Sequence, residues 1–305
     1  MTGGAGFIGS HLVRRLRAEG VDTVVVDDLS TGKRENLAGV DGIDVEARDL
    51  TKDPVEDLVA GIDVVFHVAA LPSVPRSVAD PIRSHEAGAT ATLRLLVAAR
   101  DASVARFITS SSSSVYGDVT RPPMQESMPT APKSPYAVAK LAAEGYTRVF
   151  AKLHGMSTVS LRYFNVFGPR QDPDSPYAAA IPRFIAAYLR REPPVVYDDG
   201  RQSRDFTYVE NVVDANICAL RAPRLAGESV NVAAGAPHSV LEVLDAVAEV
   251  FGYRIEPRFV PARPGDIRHS HADISLAREL LGYAPRVSFG DGLRATIDWL
   301  RSTAV

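Results

Sequence analysis

Thr2-Gly3-Gly4-Ala5-Gly6-Phe7-Ile8-Gly9-Ser10-His11-Leu12 decides how this chain is read. Gly3, Gly6 and Gly9 fit a tight turn that brings backbone against a pyrophosphate. The periodic run Ile8, Leu12, Val13, Leu16 predicts a helix whose positive N-terminus faces that phosphate. Thr23-Val24-Val25-Val26-Asp27-Asp28 then reads as a strand ending in acid. It lies near the ~20-residue offset at which a carboxylate takes ribose hydroxyls. An acid there repels a 2′-phosphate, so the pattern favours NAD over NADP. The glycines alone would read only as a surface turn.

A dinucleotide fold places a buried strand before the glycine turn, yet only Met1 precedes Thr2. The sequence therefore predicts that the first, central strand is absent from the chain as given. Met1 would hold its last position, and the chain would fold poorly or lean on a neighbouring segment. Composition is ordinary for a globular protein: 305 residues, 46% hydrophobic, 23% charged. A net charge of -3 gives no reason to expect nucleic acid or an acidic membrane as partner. No apolar run approaches the ~20 residues of a spanning helix, and no signal peptide is visible. The one cysteine, Cys218, reads as core filler in the apolar stretch 212–220. A cytoplasmic setting is expected.

Strand-like and helix-like segments alternate through the first half. Strands are predicted at 23–27, 44–47, 64–68, 107–110 and 158–163, helices at 10–19, 55–59, 82–99 and 136–153. Alternation of this kind predicts an α/β fold, a Rossmann-type doubly wound parallel sheet. After Asn165 the segments shorten and prolines accumulate, which reads as a smaller, interleaved C-terminal substrate domain. The stretch 205–220 looks like a strand and helix returning to the first domain. The expected division is 1–165 plus about 205–230 for the cofactor, and about 166–204 plus 231–305 for the substrate.

Tyr136-Ala137-Val138-Ala139-Lys140 puts a phenol and an ammonium on one helix face. A nearby cation lowers a tyrosine pKa, so Tyr136 reads as a general base. The pair alone is common by chance. Here it follows the serine run 110–114, which sits just after an apolar strand, where ligands of parallel sheets bind.

At these residues the chain resembles the extended short-chain dehydrogenase/reductase family, and within it the nucleotide-sugar 4-epimerases. The resemblance also covers 67–70, 161–165, 204–206 and Arg263-Pro264-Gly265-Asp266. It implies NAD as cofactor and a UDP-sugar as substrate. It implies Tyr136 as base, Lys140 as its partner on the nicotinamide ribose, and Ser112 at the sugar 4-hydroxyl. Asp27, with Asp28, would hold the adenosine ribose, and Asp49 and Leu50 would lie along the adenine. Gly3, Gly6, Phe7, Ile8, Gly9, Ala69, Ala70, Ser110 and Tyr163 complete the implied cofactor site. Ser73, Asn165, Ala179, Val196, Tyr197, Asp266 and Ser270 fall on the implied substrate side, with Arg204 and Arg263 gripping the diphosphate. The implied reaction oxidises C4, lets the 4-keto sugar turn, and reduces it from the other face. Relatives of this kind commonly dimerise through two long helices, here those around 82–99 and 136–153.

Sugar 4,6-dehydratases share the fold but usually carry acids just before the Tyr116 position, where this chain has Ser113-Ser114-Val115. Within the epimerases the chain resembles the subgroup acting on N-acetylated UDP-hexosamines. Ser270 and Ala179 stand where glucose-restricted enzymes usually place tyrosine and asparagine, leaving room for an acetamido group. UDP-glucose remains an alternative substrate. So does a hexuronate, because Arg76 or Arg268 could supply a cation although Asp172 replaces the arginine usual in uronate enzymes. More remote are a dehydratase and a non-catalytic relative. Gly88 replaces a customary asparagine, which would weaken NAD retention, and Pro72 replaces a lysine. His269, His271 and Asp273 alternate as metal ligands might, but the implied reaction needs no metal and none is expected.

Overall fold

The computed structural model describes residues 1–118, 122–173, 179–262 and 268–303. Its strands are β1 Val25–Asp27, β2 Val45–Ala47, β3 Val64–His67, β4 Arg106–Ser112, β5 Ser157–Tyr163, β6 Val166–Phe167, β7 Val195–Tyr197, β8 Ser203–Asp205, β9 Thr207–Tyr208, β10 Ala226–Val232, β11 Pro237–Ser239, β12 Arg258–Val260 and β13 His269–Ser270. The helices that matter most below are α1 Phe7–Ala18, α2 Val74–Ala79, α3 Pro81–His85, α4 Ala91–Asp101, α5 Pro135–His154 and α6 Ala180–Leu189. They are followed by α7 Val209–Arg221, α8 Val240–Phe251, α9 Ser275–Leu281 and α10 Phe289–Thr303.

The main sheet is parallel. β1 pairs with β2 on one side, and β3, β4, β5 and β10 pair in that order on the other. The expected gap between the halves is closed by two residues. Thr2 bridges in parallel to both Val26 and His67. The Val26 N–H donates to the Met1 carbonyl at 2.8 Å, and the Thr2 N–H donates to the Phe66 carbonyl at 2.9 Å. Thr2 thus supplies one rung of the central strand, and among the described residues no other segment pairs there. Strand order reverses at this rung, so the crevice beyond it is a topological switch point.

Leucine, isoleucine and valine from β4, β5 and β10 pack under α7 and α9, and α4 covers the opposite face. A separate apolar cluster joins α6, α8 and α10 to Val196, Phe206 and Tyr208. Around it, β8 pairs antiparallel to β11 and parallel to β13, while β6 pairs with β9. Two helix predictions need correction. The segment 55–59 forms only a 3₁₀ turn, Asp57–Val59. The single helix expected at 82–99 is α3 and α4 joined through a π turn, Glu86–Thr90. Gly88 lies in that turn, and a Cβ there would stand 2.8 Å from the Ala139 Cβ of α5. The missing side chain therefore permits close packing against the Tyr136 helix.

Candidate active site

One cavity of about 1140 Å³ opens at the carboxyl ends of the parallel strands. At one end stands the glycine turn. Gly3 has φ +69, and a Cβ on it would lie 2.6 Å from the Ala69 N; a Cβ on Gly9 would collide with the Gly3 carbonyl oxygen. Gly6 caps α1 with no side-chain hydrogen bond, so the first N–H groups of the helix, on Phe7 and Ile8, face the cavity uncapped by any side chain. Helix N-termini left this way take anions.

Asp27 ends β1 at the cavity wall. Its carboxylate accepts the Ala5 N–H at 3.0 Å and the Leu29 N–H at 2.9 Å, joining the glycine turn to the following loop. Burial raises its pKa, against these backbone donors. Asp28 is the outer acid and accepts from the Ser30 N–H and hydroxyl. Asp49, Leu50, Ala69 and Ala70 continue the wall.

Behind Ala69 runs a buried chain of hydrogen bonds. The Thr92 hydroxyl donates to the Gly88 carbonyl at 2.6 Å, and His67 lies between Thr92 and Thr2 at 3.0 and 2.7 Å. Burial, with Lys140 adding to it, lowers His67 to about 3, so the ring is neutral at physiological pH.

The catalytic candidates meet at the middle of the cavity. Ser134 accepts the Ala137 N–H and Pro135 fixes the first turn, which starts α5 directly before Tyr136. Tyr136 and Ser112, the last residue of β4, both line the cavity here. Lys140 Nζ donates to the Ser110 carbonyl at 2.7 Å and to the Ser110 hydroxyl at 3.1 Å. Burial pushes the Tyr136 phenol up while Ser112 pulls it down. Burial lowers Lys140 to about 8, opposed by Glu144. Lys140 is thus engaged with Ser110, one helical turn from Tyr136.

Tyr163, Asn165, Ala179, Arg204 and Ser270 line the other end. Asn165 takes φ +35 between β5 and β6, and its amide donates to the Asp205 carbonyl. Asp205 is fully buried and accepts N–H groups of Ala234, Gly235 and Ala272, tying β8 to the segment around β13. Three predicted contacts do not line the cavity. Val196 is fully buried in the α6–α8–α10 core, Tyr197 follows it on β7, and the Ser73 hydroxyl accepts the Arg76 N–H as the cap of α2. Arg263 and Asp266 lie outside the described residues. Arg268 turns away to Asp198 and Asp199, at 3.0 and 2.7 Å. His269, His271 and Asp273 diverge to Ser203, Gly235 and Gln125. Among the described residues no metal-ligand cluster forms.

Sequence reasoning missed two lining groups. The Ser114 hydroxyl and the Gln171 amide oxygen are buried in the cavity wall without a hydrogen-bond partner. No periodicity or spacing signals them.

A glycine turn at a switch point, an acid at the next strand end and a Ser–Tyr–Lys group define a dinucleotide-binding α/β enzyme fold of the extended short-chain dehydrogenase/reductase type. The chain belongs to the NAD dependent epimerase/dehydratase family, whose model matches residues 1–233. NAD is its cofactor, and the uncapped α1 terminus with its glycine cradle fits the pyrophosphate. A UDP-glucose 4-epimerase of Mycolicibacterium smegmatis is 40% identical over 99% of this chain and 98% of its own. The UDP-N-acetylglucosamine 4-epimerase of Methanobrevibacter ruminantium M1, solved with UDP-N-acetylmuramic acid, superposes with TM-score 0.95 at 41% identity, over 99% of this chain and 97% of that one. The UDP-glucuronic acid 4-epimerase of Bacillus cereus, solved with UDP-glucuronic acid and NAD, gives TM-score 0.91 at 34% identity, over 99% and 98%.

Proposed function

We propose that this protein inverts C4 of a UDP-sugar, with UDP-N-acetylglucosamine and its C4 epimer as the preferred pair. The observation that carries the reading is the single cavity that sets Ser112, Tyr136 and Lys140 between the glycine turn and a sugar end walled by Ala179 and Ser270. Bound NAD supplies the hydride acceptor and donor at C4. Ser112 and Tyr136 take the 4-hydroxyl proton and later return it, while Lys140 fixes Ser110 beneath them. Asn165 and Arg204 hold the diphosphate side, with Arg263 and Asp266 assigned there from sequence. Serines at 113 and 114 offer no acid for elimination, which favours epimerisation over dehydration.

Small side chains at 179 and 270 admit an acetamido group without excluding a plain sugar. The hexuronate alternative narrows. Arg268 is engaged outside the cavity, whereas Arg76 lines it. The domain division read from the sequence and a cytoplasmic location are retained as part of this reading. No helix among the described residues is long and apolar enough to cross a membrane. Val78, Ile82, Val138, Val149 and Leu153 are exposed on α2, α3 and α5, and we assign this face to a homodimer.

The test is incubation with UDP-GlcNAc, UDP-glucose and UDP-GlcNAc uronate, with and without added NAD, followed by NMR of the sugar. Conversion of UDP-GlcNAc to its C4 epimer is expected. A folded protein that converts none of them would remove the reading.

A further inference from the structure

The α5 helix carries a third ionisable side chain in line with Tyr136 and Lys140. Glu144, one turn past Lys140, is 1% exposed, and its carboxylate accepts four hydrogen bonds. One oxygen takes the Ser111 hydroxyl at 2.6 Å and Arg162 Nε at 2.8 Å. The other takes a second Arg162 nitrogen at 2.7 Å and the Ser229 hydroxyl at 2.9 Å. The third Arg162 nitrogen donates to the Tyr116 hydroxyl, which donates to Asn231. The network joins α5 to β4, β5 and β10. Ser111 stands between Ser110, which holds Lys140, and Ser112, which lines the cavity with Tyr136. A buried ion pair is no better at stabilising a fold than a well-packed apolar pair. Its charges therefore call for another role.

We propose that the Glu144–Arg162 pair is a positioning device for the reacting tyrosine and lysine. It locks α5 in register against the serine strand and keeps the net charge behind the site near zero. The proposal rests on the reading of Tyr136 and Lys140 given above. Other charged groups nearby are Lys140 and Arg148 on the same helix and Glu126 at the Asn231 N–H with Asp273 near it; His67 is neutral. All are unchanged in the variants below.

Removing the carboxylate alone leaves the Arg162 charge, since guanidinium does not lose its proton in proteins. A bare positive charge favours the Tyr136 phenolate and disfavours the Lys140 ammonium, so both ionisations move to lower pH. Glu144 lies about 12 Å along the helix from Tyr136. At an effective dielectric of about 20, a unit charge at that distance shifts an ionisation by about one pH unit.

The experiment compares holoenzyme variants by their pH–kcat profiles and by phenolate absorbance, with Tyr136→Phe as the blank. Glu144→Gln should move both readouts to lower pH, the phenolate absorbance by about one unit and the kcat limb, through Lys140 at about half the distance, by about two. Glu144→Gln combined with Arg162→Met should bring them back. A loss of activity in Glu144→Gln with neither readout displaced, or a double variant that stays displaced, would overturn the charge role. Glu144→Asp keeps the ion pair and folds more readily. It should lower kcat about tenfold at unchanged KM with the profile in place, and a wild-type kcat would overturn the register role. The absorbance titration needs no turnover, so it decides the charge role even if no UDP-sugar reacts.

Discussion

The two ends of the cavity are built differently. On the cofactor and catalytic side, strand ends and the helices α1 and α5 present groups tied into buried hydrogen bonds: Lys140 on Ser110, Ser111 on Glu144, and Thr2–His67–Thr92 behind Ala69. On the sugar side the wall comes from short strands and loops, and its charged pairs, such as Arg268 with Asp198 and Asp199, are about half exposed. The first side fixes chemistry, because proton transfer tolerates little misplacement. The second fixes which sugar enters, because side-chain volume there can change without disturbing the sheet.

If this division holds, the largest effect comes from the tyrosine. Tyr136→Phe should lower turnover by about a thousandfold while UDP-sugar binding, measured calorimetrically, persists. Turnover near wild type would break the division at its strongest point. Next is the sugar wall. Ser270→Tyr should cut kcat/KM for UDP-GlcNAc about 10- to 100-fold and spare UDP-glucose; equal losses on both would mean that volume at 270 does not select.

The pH profile gives a smaller, signed effect. Lys140 is lowered to about 8 by burial, so it loses its proton as pH rises through that value and kcat should fall above about pH 8. In Lys140→Arg the cation persists, and the fall should move to higher pH; a limb that stays put would assign it to another group. The smallest effect is expected from Arg268→Ala. An exposed, solvent-screened pair contributes little, so thermal unfolding should barely move and turnover should not change. A selective loss on a uronate substrate would reopen Arg268 as its cation.

The same contrast explains what the sequence revealed. The glycine turn, Asp27 and the Tyr136–Lys140 spacing are local patterns with fixed geometry, and all were legible. The short rung at Thr2 was not, because pairing on both sides by one residue leaves no periodic trace. The split of 82–99 around a π turn was hidden by continuous helical periodicity. On the sugar side Ala179 and Ser270 line the cavity as expected, but Val196 faces the core, because a three-residue strand gives too little pattern to assign its faces. Glu144 was readable in principle as the next residue on the Tyr136–Lys140 face. Its partner Arg162 arrives from a distant strand, and only tertiary structure joins them.

The most direct test of the central claim follows the hydrogen on C4. UDP-GlcNAc deuterated at C4 would be incubated with the holoenzyme and the product examined by NMR. The account predicts a C4-epimerised product that keeps the deuterium at C4, since Tyr136 and Ser112 handle only the hydroxyl proton. Loss of that deuterium to solvent during epimerisation would contradict it.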